Sequence, residues 1–254
     1  MRPLAFRLCA SALLGTLLMT AVAARAGVPD DCDVPDDLLR LDSRLPRTAS
    51  RLVPGGVLTI VAIGSSSTFG AGASEPAMAY PSQLKRRLTA RFPKTKIRVI
   101  NRGVNGEVVA DMIARFDRDV VALTPDLVVW QVGANSALRA THLEGYAKNL
   151  REGIRQAQAV GADVILMDPQ YAPKVLDRPI VYPVLAETDA VARETGAGLF
   201  RRFEIMRHWV QGGFLTFPVI LDADQVHLND RGYGCIAETL ADAIAAAAQP
   251  APPD

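Results

Sequence analysis

Residues 57–70 read VLTIVAIGSSSTFG. The first seven carry no charge, and the run is closed by a glycine and a cluster of hydroxyls. An uninterrupted apolar run of this length fits a strand covered on both faces. Similar runs follow at 97–101 (IRVIN), at 127–132 (LVVWQV) after Pro125-Asp126, and at 163–167 (DVILM), stopped by Pro169. A shorter one, GLF, stands at 198–200. Between them the apolar spacing turns helical. This holds over 80–92, where Leu84 and Leu88 stand at i, i+4, over 108–123, and over 141–160, which opens on the capping box Thr141-x-x-Glu144. Further helices are expected over 180–195, 203–210 and 230–248. The alternation predicts an α/β domain with a mainly parallel sheet of about five strands and helices on both faces. In a doubly wound sheet of this kind, ligands sit beyond the carboxyl ends of the strands.

The rest of the chain is read around that core. Its 254 residues are 49% hydrophobic and 22% charged, which excludes a disordered polymer, and its formal charge of +1 gives no pull toward nucleic acid. Residues 1–26, MRPLAFRLCASALLGTLLMTAVAARA, have a basic start at Arg2 and Arg7, an apolar run and a small-x-small end at Ala24-Arg25-Ala26. That is the three-part pattern of a secretory signal peptide, with an uncleaved membrane anchor as the rival reading. Its removal leaves 25 basic against 27 acidic side chains. It also removes Cys9, so the exported chain would keep one pair, Cys32 and Cys235, for which a disulfide is expected in the periplasm or outside the cell. Residues 27–56 read as a Pro/Asp-rich extension with a helical turn or two over 36–44. The domain proper is expected over 57–248, and 249–254 as a flexible tail.

The polar clusters fall where the topology puts a site. Gly64-Ser65-Ser66-Ser67-Thr68-Phe69-Gly70 follows the first strand and Asn101-Arg102-Gly103 ends the second. Gly133-Ala134-Asn135-Ser136 follows the third, and Asp222-Ala223-Asp224-Gln225-Val226-His227 precedes the last helix. A serine hydroxyl needs an adjacent base to become a nucleophile, and the base needs an acceptor on its other nitrogen. Asp224, three residues before His227, can supply that acceptor within one loop. The oxyanion formed on attack needs donors already in place. The N–H groups of Ser66 and Gly103 and the side-chain amide of Asn135 are the candidates. Each cluster alone is weak, since Asp-x-x-His is common and a Ser-rich loop also caps helices.

Together, in this order and on these elements, the four clusters resemble the blocks of the SGNH, or GDSL-type, hydrolase family over residues 57–245. The resemblance implies a flavodoxin-like three-layer sandwich, with Ser66 as nucleophile, His227 as base and Asp224 as its partner. Ser66, Gly103 and Asn135 would form the oxyanion hole. It implies hydrolysis of esters, thioesters or O-acetyl groups on small molecules, lipids or carbohydrates, with no metal and no cofactor. The first block has Ser65 where the family has Asp, and Ser136 stands where an Asp follows the oxyanion Asn. Three rival functions remain at this level: an acyl transferase using the same triad, a non-catalytic sugar-binding domain, and a flavodoxin-type phosphate loop. Asp222 competes as triad partner. Asp168-Pro169-Gln170-Tyr171 reads as a strand-stopping turn or a site wall, Phe214, Leu215 and Phe217 as acyl pocket or core. His142 reads as a solvated helix start, and His208 as packing.

Overall fold

The computed structural model describes residues 32–139 and 143–249. The expectations placed on the leader, on Thr141 and His142 and on residues 250–254 lie outside these. Five strands form one sheet: β1 (Val57–Gly64), β2 (Lys96–Gly103), β3 (Leu127–Gln131), β4 (Asp163–Met167) and β5 (Gly198–Phe200). Every pairing is parallel and the order is β2-β1-β3-β4-β5. The chain goes from β1 to one edge, returns past it to β3, and then grows toward the other edge. Right-handed crossovers therefore place the connections on opposite faces. Helix Tyr80–Arg91 packs with Asp230–Ala247, while Val109–Ala114 and Val181–Thr195 pack with Tyr146–Ala159. The reversal between β1 and β3 opens a crevice at their carboxyl ends.

The core explains the strand sequences. All five residues of β3 are buried, and Trp130 is fully so. Its ring lies 5.0 Å from that of Phe116, and its Nε1–H reaches Met112 Sδ at 3.1 Å. Two expected helices differ from their sequence reading. The one expected over 108–123 is three pieces, Val109–Ala114, Phe116–Asp119 and a 3₁₀ turn at Val121–Leu123. The break comes at Arg115, whose backbone leaves the helical region so that its guanidinium can pair with Glu107 and Asp119. The helix expected from 141 starts at Tyr146, because Gly145 turns left-handed ahead of it and Tyr146, Leu150, Ile154 and Ala157 set the buried stripe.

Residues 32–56 are tied firmly to the domain. Leu41 and Leu45 are buried in the common core. The Leu41 carbonyl accepts the N–H of Leu199 on β5, and the Leu45 N–H donates to Ala247. Asp163 accepts the N–H groups of Arg47 and Thr48 at the start of helix Pro46–Arg51, and Asp126 takes the guanidinium groups of Arg47 and Arg51. Cys32 is bonded to Cys235 in the last helix, across 203 residues of sequence. A cross-link closing so long a loop removes much denatured-state entropy, up to about 5 kcal/mol in the chain-entropy model. Reduction, or replacement of both cysteines by alanine, is expected to destabilise the fold by about 2–5 kcal/mol. Guanidinium unfolding with and without reductant measures this, and coincident midpoints would contradict it.

Candidate active site

Ser66 opens a single helical turn, Ser66–Phe69, that leaves the end of β1 and closes at Gly70, whose N–H donates to the Ser66 carbonyl. The turn is held from below by one acceptor. Gln131 Oε1, at the end of β3, takes both the N–H and the hydroxyl of Ser65 at 2.9 Å, and the Thr68 hydroxyl at 3.4 Å. On the β2 side, Asn101 donates to the Thr68 carbonyl at 2.8 Å and accepts the Gly103 N–H at 2.8 Å. Gly103 is a glycine for clearance: a Cβ there would lie 2.0 Å from the Phe69 nitrogen. Its N–H, expected as an oxyanion donor, is engaged by Asn101 in this structure.

The loop before the last helix completes the arrangement. His227 Nε2 lies 2.8 Å from Ser66 Oγ, and its Nδ1 is in a short contact with Asp224 Oδ2. The other carboxylate oxygen, Oδ1, accepts the N–H groups of Val226 and His227 at 2.9 Å each. One oxygen thus shapes the loop while the other faces the imidazole. Asp222 contributes through its backbone, its N–H closing the loop on the His227 carbonyl. Burial pushes the Asp224 carboxyl up, but hydrogen bonds from the His227 N–H and ring and from the Val226 N–H outweigh it and hold the group below its ordinary value.

Asn135 comes from the third strand end. Gly133, at φ +83°, swings the chain into the turn Ala134–Leu138 and presents Asn135 toward the crevice. One amide hydrogen of Asn135 goes to the Glu107 carbonyl at 2.9 Å. An amide has two, so the other remains to donate. Glu107 is itself fixed by a two-pronged pair with Arg115, whose guanidinium also reaches the Gly64 carbonyl at 3.3 Å. Gln131, Glu107 and Arg115 were not singled out from sequence, and Asn101 was quoted only as the head of the second cluster, with no role. Their bonds to Ser65, Asn135, the Gly64 carbonyl and the Thr68 carbonyl span 28–66 residues of chain and are visible only once the strands are paired. Of the remaining candidates, Asp168 is buried and accepts the Phe203 N–H, His208 stacks on Phe214, Leu215 is core, and Phe217 stacks on Tyr171. Among the described residues no group of three His, Cys, Asp or Glu side chains gathers as a metal site, and no helix is long and apolar enough to cross a membrane.

The family match and the relatives together define an ester hydrolase. An acetylxylan esterase of Geobacillus stearothermophilus is 26% identical over 194 residues, 68% of this chain and 81% of that protein. An arylesterase of Vibrio mimicus is 32% identical over 100 residues, 37% of this chain and 50% of that protein. The solved structure of the Geobacillus acetylxylan esterase superposes with a TM-score of 0.63 at 23% identity, covering 76% of this chain and 96% of that one. An α/β hydrolase enzyme from the metagenome of Lake Arreo gives 0.64 at 24% identity, covering 77% and 98%. At such identities these two likenesses speak for the fold. The chain belongs to the non-GDSL lipase-like family, whose model matches residues 31–250.

The depressed carboxyl of Asp224 gives a pH dependence with a definite sign. A group whose folded value lies below its unfolded one stabilises the fold at pH above the usual carboxylate range, and the contribution is lost as pH falls through the folded value. Asp224→Asn should therefore lower Tm at about pH 6, and its deficit relative to the parent should shrink toward about pH 3. Thermal melts across that range check it. A deficit that grows toward acid pH would contradict the assignment.

Proposed function

We propose that the ester hydrolysis runs through an acyl-enzyme on Ser66. The observation that carries this reading is the 2.8 Å contact of Ser66 Oγ with His227 Nε2, backed by Asp224 on the far nitrogen. Ser66 Oγ attacks the ester carbonyl while its proton passes to His227 Nε2. The imidazolium is stabilised by Asp224 and then gives that proton to the departing alcohol as the carbon–oxygen bond breaks. Water repeats the sequence on the acyl-enzyme and releases the acid. The oxyanion is met by the Ser66 N–H, which has no intrahelical partner at the first position of its turn, and by the second amide hydrogen of Asn135. Gly103 adds its N–H only by sharing it with Asn101 Oδ1.

For substrate we propose esters of short acyl groups, O-acetylated carbohydrates among them, an assignment that rests on the acetylxylan esterase relative. We further propose that the chain is exported to the periplasm or beyond and cleaved after Ala26, as the pattern of residues 1–26 indicates.

A fluorophosphonate probe should label the native protein on Ser66, and Ser66→Ala should lose both label and turnover. Label on Ser65 or Ser67 would overturn the choice of nucleophile. Asn135→Ala removes a donor to charge that exists only in the transition state, so kcat should fall about 10²–10³-fold with little change in KM. A kcat within about threefold of the parent would remove Asn135 from the oxyanion hole.

A further inference from the structure

The loop that carries Asp224 and His227 is held from within, by Asp224 Oδ1 and the Asp222 N–H, and also from outside. Between them stands Gln225 at φ +60°, a left-handed conformation that costs a non-glycine residue about 1–2 kcal/mol. Inside the loop, the N–H groups of Val226 and His227 point to Asp224 Oδ1. The carbonyl of Val226 points the other way, into the protein, where Gln170 Nε2 donates to it at 3.1 Å. Gln170 is 1% exposed, and its Oε1 accepts Arg202 Nη2 at 2.9 Å. Arg202 is also 1% exposed, and its Nε–H donates to the Asp168 carbonyl at 2.9 Å. Asp168 in turn accepts the N–H of Phe203. A continuous buried chain thus runs from the end of β4 through Arg202 and Gln170 to the backbone between Asp224 and His227.

We propose that Gln170, held by Arg202, is a positioning residue that sets the geometry of the His227–Asp224 pair. The proposal rests on the reading of His227 as base given above. The chemistry asks for an amide here. Gln170 accepts from a guanidinium and donates to a carbonyl at the same time, which an amide does without any change of protonation state. A buried guanidinium is costly to keep and is retained only where its donors are used. Arg202 is also close enough to Tyr80 and Tyr233 to interact with them electrostatically, and those hydroxyls lie on Thr68 and on the Ala71 carbonyl, beside the nucleophile turn.

Gln170→Glu and Gln170→Met separate positioning from packing. Glu keeps the pairing with Arg202 and loses the donor to Val226; Met keeps the volume and loses both. Each should lower kcat about 10–100-fold with KM within about twofold. Combined with Asp224→Asn, each should cost almost nothing further, because the pairing it maintains is already gone. In proton spectra of the native protein, the low-field His227 Nδ1–H resonance should broaden or vanish in both variants while the fold persists. A folded variant with unchanged kcat and an intact resonance overturns the proposal, as does full additivity with Asp224→Asn. If either variant fails to fold, the other decides. If native protein carries no fluorophosphonate label on Ser66, the site reading fails and this proposal with it; normal Ser66 labelling beside an indifferent Gln170 sinks this proposal alone.

Discussion

Gln131 Oε1 accepts the Ser65 N–H, the Ser65 hydroxyl and the Thr68 hydroxyl, and through these bonds it fixes the direction in which the chain leaves β1. The constraint is strong because Gln131 is buried, where an unmade hydrogen bond costs more than a made one gains. It ties the Ser66 turn to β3, while Asn101 and the missing side chain of Gly103 let the same turn settle against β2. Ser66 is therefore placed by two strands it does not belong to. The loop that carries His227 can meet it only if the parallel register holds Gly64 against Gly103, as it does.

The same bonds account for the departure at Ser65. The resemblance puts an Asp there, and in this chain Ser65 is 2% exposed and bonded to a neutral amide. In this chain a serine hydroxyl serves as the donor that the Gln131 Oε1 acceptor takes. Ser136 is likewise buried, in the turn that carries Asn135. Asn135 is aimed by the Glu107 carbonyl, which the Glu107–Arg115 pair holds in place. The site reaches a familiar geometry with neighbours of its own.

The sheet was legible because its strands are buried on both faces and read as apolar runs, and the order of the polar clusters located the site at their carboxyl ends. Cys32 and Cys235 could be named from sequence because they are the two cysteines beyond residue 26. The breaks in the helices were less visible. Arg115 interrupts one for the sake of a buried ion-pair cluster, and helical periodicity cannot anticipate a side chain that turns inward. Gln131 sits in an apolar strand as an unremarked polar residue until the pairing of β1 with β3 brings it under Ser65. Gln170 was legible only as part of the turn after β4, and Arg202 not at all, since each has a partner more than thirty residues away.

The central claim is that Ser66, rather than a neighbouring serine or a water activated by His227, forms the bond to the acyl group. The most direct measurement is peptide-level mass spectrometry of native protein acid-quenched during turnover of an aryl acetate. The account predicts an acetyl group on Ser66 that accumulates within one turnover, disappears as substrate is exhausted, and never appears in Ser66→Ala. Full turnover with no acetylated peptide at any time point, when deacetylation is slowed by low temperature, would contradict it.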